Sequence, residues 1–240
     1  MNFFESSKLL MQFAFRPIRG RTHAERLESF YGYQASRYDD YRERFLIGRR
    51  EMVERLPLAA GSRWLDAGCG TGYLLDCAGG RARECERIYL VDLAPSLLDV
   101  ARQRVDLGKW TNVEIIETDI TSLTLDAPVD VATFSYSLTM IPDWFAAIDQ
   151  AEHLLTPNGA IGVADFFVSR RHSPDSVRHS WLTRNFWRAW FDSDHVSPSQ
   201  DHLAYLTHKF EEVWLRQART RVVGLPFLRP PCYQFVGRKR

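Results

Sequence analysis

No run of about 18 consecutive apolar residues occurs in the chain, which excludes a membrane-crossing helix. Cysteine is scarce: Cys69, Cys77, Cys85 and Cys232 form no C-x-x-C pair and no zinc spacing, so reduced, partly buried thiols are expected. His172, His179, His202 and His208 match no ligand pattern either, and no metal is expected. Low-complexity tracts and internal repeats are missing. A dominant charge is missing too. Thirty-one Lys and Arg stand against 30 Asp and Glu, a net +1 that excludes a strongly basic nucleic-acid binder by overall balance. The opening MNFFESSKLLMQFAFRPIRG has no basic leader, long apolar core or small-residue cleavage site, so it does not read as a secretory signal. Acid is absent from one whole segment. From Arg216 to Arg240 there are seven basic residues and no carboxylate; with those seven removed from the net +1, the rest of the chain carries −6.

What is present is an ordinary globular mixture of 45% apolar and 25% charged residues over 240 positions. That length fits one generous domain or a domain with an appendage, and it buries a core without disulfides or metal. Short β-branched runs alternate with amphipathic stretches. Strands are predicted at Arg63–Cys69, Arg87–Leu93, Val113–Ile120, Val129–Tyr136 and Ala160–Val168. Helices are predicted from Pro95 to about Leu107 and from about Pro142 to Leu155, the second closed by Thr156-Pro157-Asn158-Gly159. This alternation specifies an α/β, doubly wound, Rossmann-like parallel sheet. Residues 25–56 read as helical, 169–200 as an aromatic-rich excursion, and Asp201–Phe210 as a helix. A strand, a Pro-rich loop and a last strand near Tyr233–Val236 follow it.

The sharpest local signal is Leu65-Asp66-Ala67-Gly68-Cys69-Gly70-Thr71-Gly72. Glycines at the carboxyl end of a first strand let the backbone approach a ligand and turn into a helix. A dinucleotide site reads G-x-G-x-x-G, whereas here the spacing is G-x-G-x-G with an acid two residues before it. Asp66 is unwelcome beside a pyrophosphate but useful beside a cation. Asp92, twenty residues after Gly72, is placed to grip both ribose hydroxyls, and Asp119 to accept from an adenine amino group. An adenosine ligand with a positive charge and no phosphate suits this set, and S-adenosylmethionine answers to that description. Arg63–Val168 resembles the class I S-adenosylmethionine-dependent methyltransferases. The resemblance implies a seven-stranded sheet with a reversed last strand. It also implies a cofactor set of Tyr38, Asp66, Gly68, Gly70, Thr71, Gly72, Asp92, Leu93, Asp119, Ile120 and Ser135.

The flanks speak to the acceptor. Projected as a helix, Phe3, Phe4, Leu10, Met11, Phe13, Ala14, Phe15 and Ile18 share one broad arc, opposite Glu5, Lys8, Gln12 and Arg16. Residues 1–24 are therefore expected to form an amphipathic helix, either lying in a membrane interface or packed on protein, ahead of a domain at 25–240. The acid-free basic tail and its Leu225-Pro226-Phe227-Leu228 loop favour an anionic membrane surface.

A closer resemblance rests on Leu27-Glu28-Ser29-Phe30-Tyr31, Tyr38–Arg44, Ser135-Tyr136-Ser137-Leu138-Thr139-Met140-Ile141-Pro142, Val163–Val168 and Phe191-Asp192-Ser193-Asp194-His195-Val196. These segments are similar to the N-methyltransferase of betaine-lipid synthesis, over about Glu25 to Arg238. The resemblance implies three successive methylations of diacylglyceryl homoserine by a cytoplasmic enzyme peripheral on the membrane's inner face. A separate 3-amino-3-carboxypropyl transferase would supply the acceptor. An amine must lose a proton before each attack, so a base is needed; His195 and Asp165 are the candidates, with Tyr136 also placed in the catalytic set. The headgroup carboxylate calls for an arginine, Arg42 first and Arg44 second. The methylammonium calls for aromatic walls such as Tyr31 and Trp190. Phosphatidylethanolamine, or a soluble small molecule such as a quinone, stands as an alternative acceptor.

Overall fold

A computed structural model of the chain describes residues 20–32, 45–172, 177–192, 196–222, 225 and 227–240. In chain order these build α1 (His23–Tyr31), α2 (Arg49–Arg55), β1 (Arg63–Ala67), α3 (Leu74–Ala78), α4 (Gly80–Arg83), β2 (Arg87–Asp92), α5 (Pro95–Gly108) and β3 (Val113–Glu117). A 3-10 turn (Ile120–Ser122), β4 (Val129–Ser135), α6 (Trp144–Leu154), β5 (Leu155–Phe166), α7 (Trp181–Asp192), α8 (His202–Lys209), β6 (Phe210–Arg219) and β7 (Pro231–Lys239) follow.

The strands form one sheet in the order β3-β2-β1-β4-β5-β7-β6. Strands β1 to β5 pair in parallel, with Leu65 beside Tyr89 on one side and Ala132 on the other. Strand β7 enters antiparallel between β5 and β6, pairing Ala164 with Gln234 and Leu215 with Phe235. The doubly wound, Rossmann-like seven-stranded sheet with its reversed strand is the fold that forms.

Burial on both faces explains why β1 reads as an apolar run interrupted only by Asp66 after Arg63. Trp64 packs with Met52, Leu56 and Leu74 on one face, and Leu65 and Ala67 pack with Phe134, Ile148 and Val163 on the other. Thr22 and Glu25 start α1 with a reciprocal capping box, and Pro95 opens α5 at its first turn.

Most element ends shift by one or two residues from the sequence reading, and four differences are larger or change an element. The helical stretch expected over 25–56 yields α1 and α2, with residues 33–44 outside the described set. Strand β3 stops at Glu117, because Asp119 turns its carboxylate onto the Thr121 amide and caps the 3-10 turn. Strand β5 begins at Leu155, so Thr156–Gly159 belongs to it rather than to a turn before it. The last strand is longer than read, Pro231–Lys239. The amphipathic helix expected at the N-terminus falls on residues 1–19, which lie outside the described residues. Among the described residues no helix is long and apolar enough to cross a membrane. All four cysteines are buried, and none is in a disulfide.

Candidate active site

The carboxyl ends of β1, β2 and β4 open on a cavity of about 210 Å³. Its floor is the glycine turn, where Gly68, Gly70 and Gly72 take φ of 65°, 54° and 71°. At Gly68 the reason for glycine is also steric, since a Cβ there would lie 2.4 Å from the Ser137 Cβ. The amides of Gly68 and Cys69 both donate to the Val91 carbonyl, at 2.8 and 3.0 Å. Asp92 clamps the turn further: Oδ2 accepts from the Gly70 amide at 2.8 Å and Oδ1 from the Ala94 amide at 2.9 Å. Burial raises the Asp92 pKa, and these amides hold it back. A carboxylate has about four acceptor positions, so two remain for hydroxyl donors in the cavity.

Of the residues expected to hold a cofactor, Gly68, Gly70, Thr71, Asp92, Leu93, Asp119, Ile120 and Ser135 line this cavity, as do Tyr31 and Tyr136. Gly72 lies behind the wall, where a Cβ would press to 3.1 Å from Leu90. Asp119 accepts from the amide and hydroxyl of Thr121 through Oδ1, at 2.9 and 2.8 Å, which leaves Oδ2 for a donor in the cavity.

Two acids stand elsewhere than expected. Asp66 is fully buried and is not part of the cavity wall. Its Oδ1 accepts from the Thr133 hydroxyl at 2.8 Å, while Oδ2 has no partner among the described residues. Burial lifts its pKa to about 7. Asp165, a candidate base, is also fully buried and is not part of this cavity's wall. It accepts from the Thr139 amide and hydroxyl at 3.1 and 2.7 Å and from the Phe166 amide at 2.7 Å, so it fixes the turn after β4 rather than facing an acceptor. Burial raises its pKa to about 7.

Tyr136 takes φ of 55° and donates its hydroxyl to the Ile47 carbonyl at 2.7 Å. Its ring meets Phe166 edge-on at 4.8 Å. Burial pushes the phenol well above its ordinary value, so it is a neutral strut between β4 and the segment before α2, not a base. Trp190 packs with Phe186 and Trp187 on α7 and lines neither cavity. Tyr38, Arg42, Arg44 and His195 lie outside the described residues.

Arg49 is a cavity residue outside the expected site set: in sequence it shares a helical face with Tyr38, Arg42 and Phe45, and reads there as a solvated charge. It is 7% exposed, lines the cavity, donates to the Leu46 carbonyl at 3.1 Å and lies 4.0 Å from the Tyr73 ring centre. The cavity thus carries the Arg49 cation and three carboxylates, Asp92, Asp119 and Asp143, with a fourth, half-partnered carboxyl, Asp66, behind. A zwitterionic adenosine ligand with an added positive charge fits that arrangement. Arg49 can meet its carboxylate, Asp92 its ribose, Asp119 its base amine and the Asp66 charge its cationic end.

A second cavity, of about 410 Å³, shares His23, Leu27, Met140, Ile141 and Pro142 with the first. Its remaining wall mixes Phe30, Leu138 and Trp144 with Arg26, Thr139, Asp192, Ser197 and Ser199.

Sheet order, glycine turn and paired cavities define a class I methyltransferase. Residues 35–216 match the family described as "Methyltransferase domain", and the chain belongs to that family, with S-adenosylmethionine as its cofactor. Curated relatives include a ubiquinone biosynthesis O-methyltransferase of Xylella fastidiosa, 34% identical over 46% of this chain and 44% of its own length. A demethylmenaquinone methyltransferase of Bacillus mycoides is 25% identical over 50% of this chain and 51% of its own. The chain thus spans about half the length of the curated relatives it matches. Among solved structures, the N-methyltransferase NodS of Bradyrhizobium japonicum, crystallised with S-adenosyl-L-homocysteine, aligns over 98% of both chains with a TM-score of 0.60 at 19% identity. The [4+2]-cyclase SpnF aligns with a TM-score of 0.65 at 15% identity, over 93% of this chain and 97% of its own, and such likenesses speak to fold alone.

Proposed function

We propose that the protein is an N-methyltransferase that methylates the amine of diacylglyceryl homoserine three times, giving the trimethylated betaine lipid at an anionic membrane surface. The observation that carries this reading is the second cavity, a pocket of mixed polar and apolar lining with Arg26 and Asp192 on its wall. An amino-acid headgroup on an acyl-bearing glycerol offers a carboxylate for an arginine, an amine for a carboxylate, and chains for the rest. Arg42 and Arg44, on the stretch following α1, would add to the carboxylate clamp.

S-adenosylmethionine supplies an electrophilic methyl, so the acceptor nitrogen forms an N–C bond as the C–S bond breaks. The chain's contribution is position, charge and proton removal. His23 stands on the wall common to both cavities, where an imidazole can take the proton from the incoming ammonium. His195 remains the other candidate.

A second reading, quinone methylation, is favoured by the printed names of the curated relatives. It would leave Arg26 and Asp192 without a charged partner in the acceptor. Purified protein with methyl-labelled S-adenosylmethionine and anionic vesicles carrying diacylglyceryl homoserine, phosphatidylethanolamine or a demethylated quinone separates the readings. Label in mono-, di- and trimethyl homoserine lipid is the expected outcome, and label confined to either other acceptor overturns it.

A further inference from the structure

Three of the large apolar side chains left in water lie together on one short helix, α7. Trp181 is 67% exposed, Leu182 70% and Phe186 44%; Leu182 and Phe186, four residues apart, share one face of α7, and Trp181 flanks it at the helix start. Strand β6 runs parallel to β5, since both pair antiparallel with β7, so the connection leaving β6 emerges at the edge of the sheet from which the chain departs toward α7. Phe227, 74% exposed, sits in that connection. A cluster this large on a folded chain marks a contact surface.

The charge around it has one sign. Between Val177 and Phe191 the sequence holds three arginines and no acid, and the β6–β7 connection adds Arg221 and Arg229. The two basic sets converge: Arg184 of α7 and Arg219 of β6 both act on the His179 ring, and the Val177 amide donates to the Gln217 side chain at 3.1 Å. The helix also leads inward, because Asp192 at its other end lines the second cavity. Twelve residues of helix place the apolar end roughly 18 Å from that wall.

We propose that the exposed face of α7, with Phe227 of the β6–β7 connection, forms a docking surface for an anionic lipid bilayer. Aromatic side chains with a cationic rim match an interface of acyl chains beneath negative headgroups. A second copy of the chain fits poorly, since a two-fold contact would bring the same arginines face to face. The N-terminal segment fits no better, with Lys8, Arg16 and Arg19 against a single Glu5. The surface stands whichever headgroup is methylated.

The test is sedimentation of the full chain with phosphatidylcholine vesicles, with and without phosphatidylglycerol, in the absence of any methyl acceptor. The wild type is expected to sediment only with the anionic vesicles and to be released by salt. The triple variant W181S/L182S/F186S should bind them at least about tenfold more weakly while remaining folded at the assay temperature and keeping its cofactor affinity. Some fall in melting temperature is expected, because Phe186 packs on Trp187 and Trp190. The control Leu107→Ser, at a site on α5 that is 86% exposed, should bind as the wild type does. Wild-type sedimentation by the triple variant, an equal loss in the control, or no binding by the wild type overturns the proposal. So does a wild-type dimer that the triple variant dissolves without any vesicle binding. Because no acceptor is present, the acceptor assignment and the docking surface fail or stand separately.

Discussion

The Asp92 carboxylate accepts the Gly70 amide at 2.8 Å, so the acid that ends β2 also holds the glycine turn that ends β1. The same residue is offered to the ribose and anchors the floor on which the ribose would lie. Asp92→Ala should therefore raise the dissociation constant for S-adenosylmethionine by about 10- to 100-fold, from ~1.5–3 kcal/mol for hydrogen bonds to a charged group. Calorimetry checks this, and an unchanged affinity would remove the ribose assignment.

Asp66 gives cofactor binding a pH dependence. Its pKa in the folded protein is about 7 against an ordinary 3.8, because the buried carboxyl has only Thr133 as partner. A folded value above the unfolded one means that its contribution to stability is complete below about pH 4 and is lost as pH rises through about 7. A bound cation reverses the preference and favours the carboxylate. Cofactor affinity should thus rise several-fold from about pH 6 to about pH 8, and the rise should be smaller in Asp66→Asn. The difference between the two titrations is the quantity to measure, since the ligand's own amine titrates equally in both. Parallel curves would show that Asp66 does not sense the ligand.

His202 is a stability liability on the far side of the second cavity. It is fully buried, neither ring nitrogen has a partner among the described residues, and its ring meets Trp144 edge-on at 4.6 Å. Burial lowers its pKa to about 3. A depressed value contributes stability above about pH 6.5 that is lost as pH falls toward 3. His202→Phe keeps the ring and removes the unpaired nitrogens, which should stabilise the protein by about 1–2 kcal/mol at neutral pH. The gain in melting temperature over wild type should widen toward about pH 5. A constant gap would mean that the imidazole does not titrate with folding.

The parallel half of the sheet was legible because its signals are local. β-Branched runs, a glycine turn and acids at strand ends each occupy a few consecutive residues. What a strand-end acid faces is not local. Asp66 shares the sheet face of Trp64, where it meets Thr133 on the neighbouring strand, and only the assembled sheet reveals that. Asp165 is claimed in the same way by Thr139, from a turn 26 residues earlier. Arg49 was hidden by its neighbours. Helical spacing groups it with Tyr38, Arg42 and Phe45, but among Arg50, Glu51, Glu54 and Arg55 it reads as one more charge on a solvated face. The left-handed Gly48 that starts α2, at φ 83°, goes with Arg49 facing inward while Arg50 and Arg55 face water. The second cavity joins His23 to Ser197 and Ser199, a sequence separation no periodicity spans.

The insertion of β7 between β5 and β6 sets an order of events during synthesis. Strand β6 leaves the ribosome before β7, yet its place in the sheet does not exist until β7 has paired with β5 along Ala160–Phe166. An emerging chain can close the five parallel strands early, while β6 waits without a partner and β5 keeps an open edge. The most aggregation-exposed interval in this protein's life is therefore the time taken to translate the 20 or so residues from Thr220 through Lys239. A pause there would be harmful in a way that the same pause before β4 would not.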